Sequence, residues 1–121
     1  MPASNASLTL AANAIKNAIA EVSLHSDNPG GEGTANELTG GGYTRDTSAS
    51  WNNAVNGVAS LNGTIQFNGP GTSSTNNAQY IGFWTTGGAQ FLGSAQLSTP
   101  KTIGPGDTLT ITAAPISVTA A

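Results

Sequence analysis

The most hydrophobic part of the chain is residues 78–97, where two apolar runs flank a Gly-Gly dipeptide. Aromatic and β-branched residues on either side of a glycine-bearing loop predict a β-hairpin. Both runs carry apolar residues on both faces, so we expect the two strands to be central and covered on each side. Gly82 and Gly93 interrupt the runs, which indicates a bulge or a close approach by another backbone.

The N-terminal residues follow a helical pattern. Residues 7–21 place apolar side chains at steps of three and four, which predicts an α-helix, and Ser4 or Ser7 could cap its start. Residues 1–6 before it are predicted to form a short arm. Residues 21–26 then alternate, with Val22 and Leu24 on one side, which is typical of a half-buried strand.

The middle of the chain is richer in turn signals. Residues 27–42 are dense in glycine and predict a long surface loop, and long ordered loops are more often functional than short ones. Asn62-Gly63 predicts a two-residue hairpin turn, because both residue types tolerate positive φ. Such a hairpin would place Val58, Ile65 and Phe67 on one face, which we expect to be the core face.

The remaining segments predict further short strands. Residues 43–45 and 49–51 are strand pieces, residues 68–77 a loop, and residues 108–113 an alternating strand with Leu109 and Ile111 inward. A last strand after Pro115 should be at an edge or bent. The chain is therefore predicted to be mainly β, an antiparallel β-sandwich of Ig-like or jelly-roll-like type with one N-terminal helix. We expect residues 7–121 to form one domain.

The amino-acid composition excludes several kinds of binding site. Charged residues make up 7% of the chain and the net charge is -3, so no basic patch exists for nucleic acid or an anionic membrane. Cysteine is absent, which excludes disulfides and thiolate metal sites. No signal-peptide pattern or membrane-spanning run occurs, so we expect synthesis and folding in a cytoplasm.

Few residues are candidates for chemistry. His25, the only histidine, precedes Asp27, Glu32 and Glu37, but zinc needs more His or Cys ligands. Calcium could use the carboxylates, although the EF-hand spacing fails. The favoured interpretation is that His25 and Asp27 hydrogen-bond backbone groups of the loop. No nucleophile motif or carboxylate pair is evident, so neither enzymatic activity nor a cofactor is predicted.

The aromatic residues allow a second kind of site. Tyr43 and Trp51 could stack on a sugar ring, and Trp51 is the aromatic residue that we expect to be partly exposed. Aromatic side chains are nevertheless large contributors to a core, and this chain has only seven of them, so a core role is favoured.

Five short motifs occur in a characteristic order: VSLHSDNPG at 22–30, GTANEL at 33–38, GGYTR at 41–45, YIGFW at 80–84 and FLG at 91–93. In this order they resemble a family of small virion proteins of tailed phages, frequent in phages of actinobacteria and labelled tail fibre or minor tail proteins. The chain departs from that pattern at Asn28 and in the longer loop 68–77.

The resemblance implies a structural role in a virion. A compact chain without a coiled-coil shaft pattern favours a capsid decoration protein over a fibre shaft. The implied partners are the major capsid or tail proteins and further copies of the chain in a symmetric oligomer, with host-glycan adhesion as the alternative function. We expect assembly contacts in residues 1–20 and 27–42, where ordering of the loop against a partner would offset its entropy. The predicted contact residues are Pro2, Ser4, Leu8, Asp27, Asn28, Pro29, Asn36, Glu37 and Arg45.

Overall fold

The computed structural model describes residues 4–39, 43–68, 76–103, 107–114 and 116–117. Antiparallel strands dominate, preceded by one N-terminal helix, and the sheets are arranged as a sandwich, so the predicted fold class is confirmed. The elements are α1 (Asn5–Ala18), β1 (Glu21–His25), β2 (Ser50–Trp51), β3 (Val58–Ala59), β4 (Leu61–Asn62), β5 (Ile65–Asn68), β6 (Asn76–Trp84), β7 (Phe91–Ile103), β8 (Thr108–Ile111) and β9 (Ile116–Ser117).

Helix α1 begins at Asn5 rather than Ser7 and ends at Ala18 rather than Glu21. Its start is explained by Ser4, whose side chain accepts a hydrogen bond from the Ser7 backbone N–H at 3.1 Å, which confirms Ser4 as the cap. Ile19 is already extended, so the chain leaves the helix early enough for Glu21 to open β1. The predicted arm therefore overlaps the helix, and residues 1–3 lie outside the described part of the chain.

The central sheet has the strand order β1-β6-β7 and is antiparallel throughout. The predicted hairpin of β6 and β7 is confirmed, with Trp84 opposite Phe91 across the turn. Burial on both faces is found for β1, in which Ser23 and His25 are as inaccessible as Val22 and Leu24, so the expectation of a half-buried strand is wrong. Strand β7 differs from β1, because its residues alternate between half-buried and exposed over most of its length.

The two predicted strand glycines have different roles. A Cβ atom at Gly82 would lie 2.6 Å from Ser23 Oγ and 3.0 Å from His25 Nε2, so this position needs glycine because side chains of β1 cross it. Gly93 has φ +155 and adjoins the register shift between Phe83 and Trp84, which marks a bulge.

The second layer consists of two-stranded ribbons, β2-β4, β3-β9 and β5-β8. The hairpin predicted at Asn62-Gly63 is wrong, because β4 pairs with β2 and β5 pairs with β8. The other Asn-Gly dipeptide makes the tight turn: Asn56 and Gly57 have positive φ, and Val55 and Val58 exchange hydrogen bonds of 2.9 and 3.0 Å.

Other predictions for this layer are also partly confirmed and partly wrong. Ile65, Phe67, Leu109 and Ile111 are buried in the core as expected, whereas Val58 is 38% exposed and is not on the core face. Strand β9 pairs only with β3 among the described strands, consistent with the predicted edge position. Pro115 and residues 69–75 of the predicted loop lie outside the described residues.

Candidate functional site

Residues 27–39, called here the covering loop, lie over the face of the central sheet that carries Ser23 and His25. The loop backbone is hydrogen-bonded along the edge of β1 that β6 leaves free. Ser26 N–H donates to the Asn36 carbonyl at 2.9 Å, and Leu38 N–H donates to the Leu24 carbonyl at 3.0 Å. A Cβ atom at Gly33 would overlap the Phe91 ring, so the loop backbone lies directly on β7. The loop therefore forms an outer layer on the sheet.

The covering loop is ordered by bonds within the chain. Asp27 accepts a hydrogen bond from Asn28 N–H at 2.8 Å, and the Asn36 side chain donates to the Asn28 carbonyl at 3.0 Å. The Asn28 side chain accepts from Gly30 N–H at 2.8 Å. Pro29, predicted as an assembly contact, is fully buried. These bonds offset part of the entropy of ordering the loop, and its predicted role as an assembly contact stays a prediction.

Arg45 is the centre of an ion-pair cluster beside the loop. Its guanidinium donates two hydrogen bonds of 2.9 Å to Glu37 and one of 3.2 Å to Glu21, and it lies 4.0 Å from the centre of the Trp84 ring. This pairing joins two of the residues that were predicted as assembly contacts. The hydrogen bonds to Glu37 raise the pKa of Arg45. Burial favours a raised pKa for Glu37, but bonds from Arg45 and Tyr43 outweigh it and lower that pKa.

Tyr43 joins this cluster to the core. Its hydroxyl donates to Glu37 Oε2 at 2.7 Å and accepts from Leu24 N–H at 3.0 Å, while its ring packs on Phe67. Burial raises the pKa of Tyr43. Tyr43 is therefore held by one ring face and by its hydroxyl, and its predicted stacking on a sugar stays a prediction.

Trp51 was expected to be partly exposed, and this is wrong. The residue is only 6% exposed, its indole N–H donates to the Ala114 carbonyl at 2.6 Å, and its ring meets Phe83 edge-on. Satisfying the one polar atom of the indole makes complete burial favourable. The ring is thus part of the core and unavailable for stacking on a glycan.

A buried chain of hydrogen bonds lies beneath the covering loop. Trp84 Nε1 is 2.8 Å from Ser23 Oγ, which is 2.7 Å from His25 Nε2, and His25 Nδ1 is 2.8 Å from the Ala35 carbonyl. Ser23 and His25 are both 0% exposed. The interpretation that His25 and Asp27 bond loop backbone groups is confirmed. The Ser23–His25 pair resembles a nucleophile and its base in spacing, but full burial closes it to any substrate.

Burial lowers the pKa of His25, against smaller effects of the Ala35 carbonyl and Glu37 that raise it. Ser23 and Trp84 as partners of His25 were missed at the sequence level. Ser23 lies opposite Gly82 on β6, and Trp84 follows Gly82 by two residues on the same strand, so the contact depends on a β1–β6 pairing that no local pattern shows.

Within the described ranges, no group of three or more His, Asp and Glu side chains is placed to hold a metal ion. No helix among the described residues combines the length and apolar composition required to cross a bilayer.

Helix α1 is held to the second layer by its polar side chains. Asn13 accepts a hydrogen bond from Ala54 N–H at 2.8 Å, Thr9 accepts one from Gly57 N–H at 3.1 Å, and Lys16 donates to Asn53 at 3.1 Å. Among the predicted contacts, Ser4 is exposed and Leu8 is half-buried, while Pro2 lies outside the described residues.

The surface near α1 also carries exposed apolar side chains. Leu10 is 72% exposed on the helix, and Val55 is 69% exposed at the Asn56-Gly57 turn that Thr9 binds. These are the two most exposed large hydrophobic residues in the described part of the chain.

A cleft of about 430 Å³ separates β7 from β8. Both strands contribute consecutive residues to it, which indicates that each presents an edge to the opening. Of the described residues that line the cleft, none belongs to the predicted contacts or stacking residues.

The described residues form a small β-sandwich in which the buried side-chain polar atoms have hydrogen-bond partners and the Ser23–His25 pair is buried. The comparisons with known proteins identify the family. The chain matches the family described as Podophage GP4 fiber I protein gp80 over residues 8–119, which is nearly its whole length. The chain belongs to this phage fibre family and is thus a virion component. No curated protein matches it.

Proposed function

We propose that this protein is a non-enzymatic structural component on the surface of a tailed-phage particle, where it attaches to the assembly and reinforces it. The observation that carries the proposal is the family match over residues 8–119. The family description names a fibre, and the compact sandwich fits two positions, a capsid decoration and a minor component of the tail. Synthesis in the host cytoplasm and a host among the actinobacteria belong to the same proposal.

The interior of the sandwich supports a structural role. None of the buried side-chain nitrogen and oxygen atoms in the described residues lacks a hydrogen-bond partner. Full satisfaction of buried polar groups favours one rigid conformation. A rigid domain with few surface charges can be placed in many copies side by side without mutual repulsion.

We assign the attachment surface to the outer side of α1 and the adjoining turn, with Leu10 and Val55 as its apolar residues. Exposed apolar side chains are the part of a surface that gains most from burial against a partner. The polar residues of the covering loop support this choice by contrast, because many of them bond groups of their own chain. Symmetric repetition on a particle would strengthen each weak contact through effective concentration.

Glycan adhesion, the alternative function, loses the stacking platform on which it was based, since Trp51 is buried and Tyr43 is engaged by Phe67 and Glu37. It stays a prediction without a described site.

Mass spectrometry and cryo-EM of purified particles test the function. The protein should be present at a copy number set by the particle's symmetry, and particles lacking it should rupture at lower temperature. Absence from particles contradicts the proposed function altogether. Normal heat resistance without the protein contradicts the reinforcing role alone.

The attachment surface is tested by Leu10→Ser, with Leu92→Ser on β7 as the matched control. Leu92 is also exposed, at 36%, so both variants exchange an accessible leucine for serine. Both should fold, and only Leu10→Ser should lower the occupancy on particles. Equal occupancy of the two variants would show that the helix surface is not the attachment surface while leaving the virion role intact.

A further inference from the structure

The only histidine of the chain lies in a chain of hydrogen bonds that has a fixed direction. An indole N–H can only donate and a backbone carbonyl can only accept. Trp84 therefore donates to Ser23 Oγ, and His25 Nδ1 must carry the proton that meets the Ala35 carbonyl. Ser23 then donates its hydroxyl proton to the unprotonated Nε2 of His25, which makes the neutral Nδ1–H tautomer the form that satisfies every bond.

A second proton on His25 breaks this arrangement. An Nε2–H would occupy the second lone pair of Ser23 Oγ beside the bond from Trp84, and the serine proton would lose Nε2 as its acceptor. Ser23 and His25 are 0% exposed, and no further acceptor for the Ser23 hydroxyl is recorded among the described residues. A buried donor without an acceptor and a buried cation are both costly, so the protonated histidine is stable only where water reaches it.

Water reaches His25 if the covering loop lifts, because that loop lies above it and supplies the Ala35 carbonyl. We propose that the covering loop, residues 27–39, is an acid-responsive element that leaves the outer face of the central sheet when His25 becomes protonated. The sandwich beneath remains folded, since β1, β6 and β7 are joined by their own ladder and, within residues 27–39, only Leu38 belongs to the apolar core.

The charges around His25 permit this response. Glu37 in the loop attracts a proton to His25, but its carboxylate is already held by Arg45 and Tyr43. The positive charge of Arg45 disfavours protonation of His25. The Glu21 carboxylate, which forms an ion pair with Arg45, offsets part of that positive charge. On β6 the residue directly opposite His25 is Tyr80, and Ser23 faces Gly82, so this strand contributes no carboxylate. Burial lowers the pKa of His25 below 6.5, in agreement with the geometry.

Hydrogen–deuterium exchange at several pH values between 7.5 and 5, corrected for the intrinsic pH dependence of exchange, measures the opening. Because the opened loop binds one more proton than the closed loop, protection of the Ser26 and Leu38 amides should fall by up to about tenfold for each pH unit below 6.5. Protection of the β6 amides should stay constant. Loop protection that does not change with pH would overturn the proposal.

Two variants identify the group that takes up the proton. His25→Gln replaces the imidazole by an amide that does not titrate, so loop exchange should become independent of pH. Asp27→Asn is the matched control, since it removes a titrating carboxylate of the loop but keeps the oxygen that Asn28 N–H binds. It should respond to acid as the wild type does. A response that persists in His25→Gln or disappears in Asp27→Asn contradicts the assignment to His25.

The unmodified chain provides a test that does not depend on folding of a variant. Because it has one histidine, the ¹⁵N and ¹³C resonances of the imidazole are unambiguous in NMR. The closed form should show the Nδ1–H tautomer, and acid should make an open form appear in which His25 is charged. An Nε2–H tautomer, or ordinary titration of His25 while the loop amides keep their shifts, would overturn the proposal.

Discussion

The covering loop and helix α1 were both predicted as assembly segments, and they differ in what their side chains do. In the loop region, Glu37 bonds Arg45 and Tyr43, and Asn36 bonds Asn28, so polar groups are engaged within the chain. In α1 the polar side chains bind the adjoining turn, while Leu10 is left 72% exposed. A high content of polar residues therefore does not by itself identify a binding surface, because those residues can be bonded to their own chain.

The difference also concerns how each segment is stabilised. The covering loop depends on close backbone packing and on a half-buried ion-pair cluster. Helix α1 depends on a stripe in which only Ala12 is fully buried and on a few hydrogen bonds at the surface. Substitutions in the loop region should therefore destabilise the protein more than substitutions in the helix.

Gly33→Ala should have the largest effect, about 3 kcal/mol of unfolding free energy. Gly33 has φ +77, and an added Cβ would overlap the Phe91 ring. Gly31→Ala is the matched control, because a Cβ there has nothing within 4 Å. Urea denaturation followed by tryptophan fluorescence measures both. Equal stabilities of the two variants would mean that the loop does not lie closely on β7.

Arg45→Ala should cost about 2 kcal/mol, because it leaves the half-buried Glu37 carboxylate without its two strongest donors. Arg45→Lys keeps the charge but not the paired geometry, so it should recover only part of the loss. Chemical denaturation at two salt concentrations measures the effect. A loss below about 0.5 kcal/mol for Arg45→Ala would place this cluster among ordinary surface ion pairs.

Asn13→Ala should have the smallest effect, about 1 kcal/mol, through the hydrogen bond that the buried Ala54 N–H loses. Asn17→Ala on the exposed side of α1 is its control and should be neutral within about 0.5 kcal/mol. Thermal unfolding monitored by circular dichroism compares the two. If Asn13→Ala destabilised the protein more than Gly33→Ala, the proposed ranking of helix and loop would be reversed.

The two Asn-Gly dipeptides show where sequence-based prediction succeeds and fails. Both have the residues for a tight hairpin turn, but only Asn56-Gly57 forms one, with valines on either side. Around Asn62-Gly63 the two strands pair with other strands and not with each other: β4 pairs with the preceding β2, and β5 pairs with β8, which is distant in the chain. Local preference identifies a turn, whereas long-range pairing decides which strands the turn connects.

The residues around the covering loop show the same limit. The hydrogen-bonding roles of His25 and Asp27 could be predicted because their partners, Ala35 and Asn28, lie nearby in sequence. Asn36, Glu37 and Arg45 were predicted only as assembly contacts. The Trp84–Ser23 bond joins β6 to β1, and the Trp51–Ala114 bond joins residues still farther apart, so no local pattern predicts either. The central β6–β7 hairpin was predictable because its strands are consecutive and strongly apolar.

The order β1-β6-β7 has a consequence for synthesis on the ribosome. Glu21 pairs with Trp84 and His25 with Tyr80, so β1 has no ladder partner on that edge until most of the chain has been translated. Pairing over such a separation slows folding, and an unpaired strand that is apolar on its inner face is open to association with other nascent chains. Translation speed between β1 and β6 should thus affect the yield of folded protein.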